Sequence, residues 1–210
     1  METKEKLHKL RNIGFYFITD SNLTKLSSIK QVEIAIKEGV EVIQYREKFL
    51  DRRQMHETAV KIRKMTSEAG ILFIVNDYVD VAIKAKADGV HLGQNDFAFE
   101  EARRIVPEEM MIGLTVSTVK QAIEAEKKGA DYIAFGPIFK ALNPKNKILG
   151  VDKIVKVKEK IDIPVVVFGG VNKNNVKKVI DVETDGYIIV SELFSKKDLN
   201  KEIKEVIKKK

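Results

Sequence analysis

The sequence predicts an α/β protein folded as a single (β/α)8 TIM barrel, and three observations carry that expectation. Eight short runs are almost continuously apolar and rich in β-branched residues, the pattern of parallel strands buried on both faces. Charged amphipathic segments of helical period fill the gaps between them. Eight such units in 210 residues leave about 26 residues for each, enough for one strand and one helix.

One domain is expected to span residues 1–210, with 1–13 as an N-terminal extension or helix and 208–210 as a basic tail. The first strand is expected at 15–19. The helix after it, 29–37, sets Ile29, Val32, Ala35 and Ile36 on one stripe. The second strand, 42–46, is followed by a helix at 53–69 with Met55, Ala59, Ile62 and Met65 on its apolar face. The third strand is 72–76, with a helix at 79–86; the fourth is 89–93. The fifth strand, 111–116, leads into a helix at 118–128 that turns Ala122, Ile123 and Ala125 inward. The sixth, 132–136, opens into a long polar segment, 140–150. The seventh is 164–169, the eighth 187–191, and a last helix near 199–208 carries Ile203, Val206 and Ile207. An open doubly wound sheet is the alternative, but the first strand–helix turn lacks its Gly-x-Gly-x-x-Gly fingerprint.

Lys and Arg number 38 against 31 Asp and Glu, a net charge of +7. That excess points to an anionic partner without choosing among nucleic acid, an acidic surface and a phosphorylated small molecule. The absence of cysteine excludes disulfides, thiolate-bound zinc, iron–sulfur clusters and a cysteine nucleophile, and fits a reducing compartment. No apolar run approaches the ~20 residues that span a bilayer. The first eleven residues are charged and lack the apolar centre of a signal peptide. A soluble, cytoplasmic protein without a membrane partner is expected.

In a barrel, functional groups sit at the C-terminal ends of strands and in the loops that follow. Gln44, Arg46 and Lys48 alternate at the end of the second strand, so they share a face if the chain stays extended. Such a set suits a planar hydrogen-bonding ligand carrying phosphate charge; a structural ion pair with Glu47 is the alternative. Asn76-Asp77 ends the third strand, and Asp96 follows the fourth. Two carboxylates on adjacent loops suit Mg²⁺, which takes oxygen ligands and shares its shell with water and phosphate. Helix caps, turns and carboxylate acid–base chemistry stay open for both. Gly169-Gly170 and Val190-Ser191 end the seventh and eighth strands, where barrels commonly hold phosphate; a tight turn capped by Asn172 is the alternative. Thr115 ends the fifth strand with a hydroxyl, and Ser117 is either a site residue or a cap. Segment 140–150 suits a lid, in which Lys140, Lys145 and Lys147 either follow phosphate charge or are solvated. His8, His56 and His91 are scattered and suggest no metal triad.

These landmarks resemble the thiamine-phosphate synthase family over about residues 15–194. The matching segments read Phe17-Ile18-Thr19-Asp20, Gln44-Tyr45-Arg46-Glu47-Lys48, Val75-Asn76-Asp77 and Gly89-Val90-His91-Leu92-Gly93-Gln94-Asn95-Asp96, with Gly136-Pro137-Ile138-Phe139 further on. The resemblance implies a transferase that condenses hydroxymethylpyrimidine pyrophosphate with thiazole phosphate, through a pyrimidine carbocation, to thiamine phosphate and pyrophosphate. It implies that Gln44 touches the pyrimidine, that Arg46 and Lys48 hold its pyrophosphate, and that Asp77 and Asp96 hold Mg²⁺ with Asn76 nearby. It further implies that Gly170, Val190 and Ser191 bind the thiazole phosphate. Two places depart from the pattern. Where the family has Ser followed two residues later by His, this chain has Thr115 and Ser117. Where it has Pro-Thr-x-Thr-Lys, the two threonines correspond to Ala141 and Asn143 and the lysine to Pro144, with Lys145 one residue beyond. Thr115 and Lys145 are therefore the expected substrate contacts there. A relative of the thiazole tautomerase branch, and more remotely a basic nucleic-acid-binding or regulatory protein, remain as alternatives. Self-association stays open.

Overall fold

The structure, a computed structural model, describes residues 3–11, 13–94, 96–140 and 148–208. Nine parallel strand segments form one sheet whose two ends lie side by side in the chain. They are β1 (Gly14–Phe15), β2 (Phe17–Ile18), β3 (Val42–Tyr45), β4 (Leu72–Asn76), β5 (Gly89–Leu92), β6 (Met111–Val116), β7 (Tyr132–Phe135), β8 (Val165–Val167) and β9 (Gly186–Tyr187). β1 pairs with β9, and β2 pairs with β3. Segments β1 and β2 are two halves of the expected first strand. Tyr16 lies between them and still donates its N–H to the Tyr187 carbonyl at 2.9 Å. The sheet therefore closes into the eight-stranded barrel that the sequence predicts.

Helices follow the strands around the outside: α2 (Ser28–Lys37), α3 (Arg52–Glu68), α4 (Val79–Ala85), α5 (Phe99–Ile105), α6 (Val119–Lys127), α7 (Asp152–Lys158), α8 (Val176–Ile180) and α10 (Leu199–Ile207). Local chemistry starts them. Asp51 and Gln54 form a reciprocal capping box at α3. The Thr118 hydroxyl caps α6 by accepting from Gln121 N–H, so the cap is Thr118 and not Ser117. The apolar stripes expected on α2, α3 and α6 face the large cluster between helices and barrel, with Val32, Ala35, Ala59 and Ile62 fully buried. A second cluster fills the barrel: Tyr16, Val42, Leu72, Ile74, Met111, Tyr132, Val166 and Ile188.

Helix α1 (Thr3–Leu10) lies under the barrel and contributes Leu10 to that interior cluster. The eighth strand is shorter than the expected 187–191. The Val190 and Ser191 carbonyls accept helical bonds from Phe194 and Ser195, so the chain leaves the sheet and forms a short helix, α9 (Ser191–Phe194). The seventh is likewise trimmed to Val165–Val167, because Gly169 and Gly170 at φ 88° and 66° turn the chain away.

Candidate functional site

Strand C-termini open into a cavity of about 990 Å³ at one end of the barrel. Gln44, Arg46, Asn76, His91, Thr115 and Ile188 are among the strand-end residues on its wall. The volume is at the upper end of small-molecule sites and leaves room for two ring-sized ligands.

Arg46 donates from Nη1 to Asp20 Oδ2 at 2.8 Å. The other oxygen of Asp20 accepts from Asn22 N–H and Leu23 N–H, so this carboxylate is fixed in its loop. Glu47 makes no ion pair with Arg46. Burial pushes its carboxyl up, but hydrogen bonds from Phe49 N–H, the Ser21 hydroxyl, Lys48 N–H and the Ser28 hydroxyl outweigh burial and hold it below the usual range. Glu47 thereby shapes the turn that presents Lys48. Arg46 and Lys48 diverge after β3, one toward the loop after β2 and the other toward the loop after β4.

Lys48 Nζ lies 2.5 Å from Asp77 Oδ2. Asp77 has a left-handed φ of 64°, its N–H bound to the His91 carbonyl at 2.8 Å. The N-cap of α4 is Tyr78 and no side chain caps the helix, so Asp77 is not a cap. Asp96 accepts Gly93 N–H at 2.7 Å, the turn role considered for it, and also hydrogen-bonds Asp77. Its carboxyl is pushed up, first by burial and then by Asp77, with Lys48 opposing. Asp77, Asp96 and Lys48 thus meet on adjacent loops, beside Asn76 on the cavity wall.

The opposite wall comes from the loops after β8 and β9, with Gly169, Gly170, Val190 and Ser191. A Cβ on Gly170 would come within 2.7 Å of the Phe139 carbonyl group, so only glycine allows the loops after β7 and β8 to pack this closely. Asn172 is not the helix cap; the N-cap of α8 is Asn175, and Asn172 N–H donates to the Asn175 side chain. Lys140 reaches the cavity. Lys145, Lys147, Ala141, Asn143 and Pro144 lie outside the described residues.

Ser117 is not on the cavity wall; its N–H donates to Gln121 Oε1 at 2.9 Å. His8 and His56 do not line the cavity, but His91 does. Burial lowers its imidazole pKa to about 4, and Nε2 sits 2.8 Å from the Thr115 hydroxyl. Sequence reasoning missed His91, Asp20 as the partner of Arg46, and Lys196 at the opposite wall. The signal for His91 was available: it falls at an inward position of an alternating strand.

Among the described residues, no helix is long and apolar enough to cross a membrane. No group of three or more His, Asp or Glu gathers as metal ligands there. Two carboxylates are nevertheless a sufficient donor set for Mg²⁺, which keeps water and substrate phosphate as its other ligands. Mutual repulsion at the pair is what a divalent cation would relieve.

Comparison with known proteins gives a consistent result. A family profile described as thiamine monophosphate synthase matches residues 15–193. A thiamine-phosphate synthase of Methanosarcina mazei is 40% identical over 200 residues, covering 94% of this chain and 83% of that protein. One from Clostridioides difficile is 37% identical over 205 residues, covering 97% of each. A solved thiamine phosphate pyrophosphorylase from Pyrococcus furiosus superposes with a TM-score of 0.88 at 36% identity, covering 95% of this chain and 96% of that one.

Proposed function

We propose the function of this protein from one premise: the chain belongs to the thiamine monophosphate synthase family. It is a thiamine-phosphate synthase, a transferase that joins hydroxymethylpyrimidine pyrophosphate to thiazole phosphate. The bond between the pyrimidine methylene carbon and the pyrophosphate oxygen breaks, and a bond from that carbon to the thiazole nitrogen forms. Both partners are small phosphorylated molecules; nucleic acid and membrane have no part in this reading. A cytoplasmic location accords with a chain free of cysteine.

The observation that carries the assignment is the meeting of Asp77, Asp96 and Lys48 beside a cavity lined by Gln44 and Arg46. Arg46 and Lys48 take the departing pyrophosphate, exchanging the Asp20 and Asp77 carboxylates for phosphate oxygens. Asp77 and Asp96 hold Mg²⁺, with Asn76 adjacent, and the ion supplies charge neutralisation of the leaving group when bound. Gln44 and Thr115 orient the pyrimidine. Gly170, Val190 and Ser191 seat the thiazole phosphate on the facing wall, which sets its nitrogen toward the reacting carbon. In the resting protein Asp20 and Asp77 hold the Arg46 and Lys48 side chains in place, so both cations are positioned before the leaving group's negative charge develops.

Incubation with both substrates and Mg²⁺, following thiamine phosphate and pyrophosphate, tests the reading. Formation of both products in equal amounts is expected. Arg46→Ala should lower kcat/KM on the order of a hundredfold. Absence of product under conditions where a relative turns over would reject the assignment.

A further inference from the structure

One continuous hydrogen-bond chain crosses the barrel interior below the cavity, and the reaction described above does not account for it. Gln44 Nε2 donates to the Tyr16 hydroxyl at 3.0 Å. The Tyr16 and Tyr132 hydroxyls lie 3.0 Å apart. Tyr132 Oη is 3.0 Å from His91 Nδ1, and His91 Nε2 is 2.8 Å from Thr115 Oγ1. Tyr16 and Tyr132 are each 1% exposed, and only the two ends and His91 reach the cavity.

The interior is shaped for this chain. Gly113 pairs with His91 on one side and Tyr132 on the other. A Cβ at Gly113 would lie 2.1 Å from the Tyr132 ring. The missing side chain is therefore the space through which the Tyr132 hydroxyl passes to reach the imidazole.

Each phenol has a single proton, and a neutral imidazole has one donor and one acceptor nitrogen. A phenol oxygen can accept twice, but a buried proton left without an acceptor is costly; with every proton of the chain paired, the first bond fixes the others. Tyr16 accepts from Gln44, so it donates to Tyr132. Tyr132 then donates to His91 Nδ1, which places the imidazole proton on Nε2. That nitrogen donates to Thr115 Oγ1, and the threonine proton is left to point into the cavity.

We propose that Tyr16, Tyr132 and His91 are positioning residues that set opposite polarity at the two ends of this relay, an acceptor at Gln44 Oε1 and a donor at the Thr115 hydroxyl. This rests on the synthase reading for its ligand: a heteroaromatic ring with an amino donor and a ring-nitrogen acceptor matches those ends. Reversal of either end requires reversal of every bond, so a ring of inverted polarity meets two unpaired groups at once. The residues act through Gln44 and Thr115 and do not touch the reacting atoms.

Two measurements on the full chain test it. The first is the ¹⁵N spectrum of the three histidines of the resting protein, with the His91 signal assigned by His91→Gln. A single Nε2–H tautomer is expected at His91, becoming a mixture of tautomers in Tyr132→Phe. An Nδ1–H tautomer, or no change in Tyr132→Phe, would overturn the relay. The second is kcat/KM for the pyrimidine substrate. Tyr132→Phe should lower it about threefold to tenfold, the range of one polar contact, in wild-type and Thr115→Ser backgrounds, with KM for the thiazole unchanged. In a Thr115→Val background the same change should have a clearly smaller effect, because only the Gln44 end of the relay is left to respond. An equal factor in that background would show a purely structural role and overturn the proposal. A protein that folds but makes no thiamine phosphate rejects the synthase reading, while the tautomer measurement still decides the relay.

Discussion

At Asp96 burial and the neighbouring Asp77 carboxylate both oppose ionisation, and the balance holds its carboxyl above the usual carboxylate range. A raised pKa in the fold means that the protonated form contributes stability below the unfolded pKa. That contribution is lost as pH rises through the folded value, so near pH 7 the charged pair works against folding. Asp96→Asn keeps an oxygen for Gly93 N–H and removes the charge. It should raise the Tm of the metal-free protein and abolish any further rise with MgCl₂, read by thermal unfolding with and without the salt. An undiminished response to Mg²⁺ would take Asp96 out of the metal site. At Asp77 the same test needs Asn and not Ala, since Asn tolerates the left-handed φ of 64°. His91 makes the opposite contribution. Its pKa falls from 6.5 to about 4 on burial, so the unfolded chain binds the proton first. Stability should therefore drop as pH falls from 6.5 to 4, by about 3 kcal/mol in total, and His91→Gln should flatten that part of the denaturation profile. Gln44, Arg46, Lys48, Asp77 and Asp96 were legible because polar side chains end apolar runs there. The inward facing of His91 was legible too, but its meeting with Tyr16 and Tyr132 was not. A period of two shows which residues of one strand share a face, but only the register between strands shows that these three meet.

The strand-and-helix rhythm was legible because each parallel strand is buried on both faces and each helix on one. Strand ends were less legible, since the last residues of a run belong to the ladder only if their carbonyls have no better partner. At Val190 and Ser191 a helical turn supplies that partner. At Gly169 and Gly170 the cause is geometric, and it yields a test. The loops after β7 and β8 are joined by Ile138 N–H to the Phe168 carbonyl and by Phe139 N–H to the Gly169 carbonyl, both at 2.9 Å. A methyl group on Gly170 would strain its φ of 66° and press on the backbone of Phe139 and Lys140. Gly170→Ala should cost about 1–3 kcal/mol in urea unfolding. It should also raise KM for the thiazole phosphate more than KM for the pyrimidine, because the displaced wall is the one opposite Arg46. Equal changes in the two KM values would argue against Gly170 as part of the thiazole subsite.

Across the whole molecule the barrel separates its two ends. The mouth carries the charged groups, and helix α1 covers the other end. Lys9 donates to the Gly70 carbonyl before β4, and Lys6 donates to the Glu109 carbonyl before β6. Arg11 donates to the Asp162 carbonyl before β8. Lys6 is buried and faces Asp88, which Arg63 also holds at 2.6 Å. Three bonds to three loops fix α1 so that Leu10, fully buried, can fill the base of the interior cluster. Between Leu10 and the cavity stand Val42, Leu72, Met111 and Val166, each fully buried. Close packing of that kind confines a void to its surroundings. Leu10→Ala should therefore destabilise by about 2–5 kcal/mol, lowering Tm by about 2–4 °C for each kcal/mol, while kcat/KM measured well below Tm stays within about twofold of the parent. A larger kinetic loss at that temperature would mean that the base of the barrel sets the geometry of its mouth, through the Tyr16 and Tyr132 rings that share the interior cluster with Leu10.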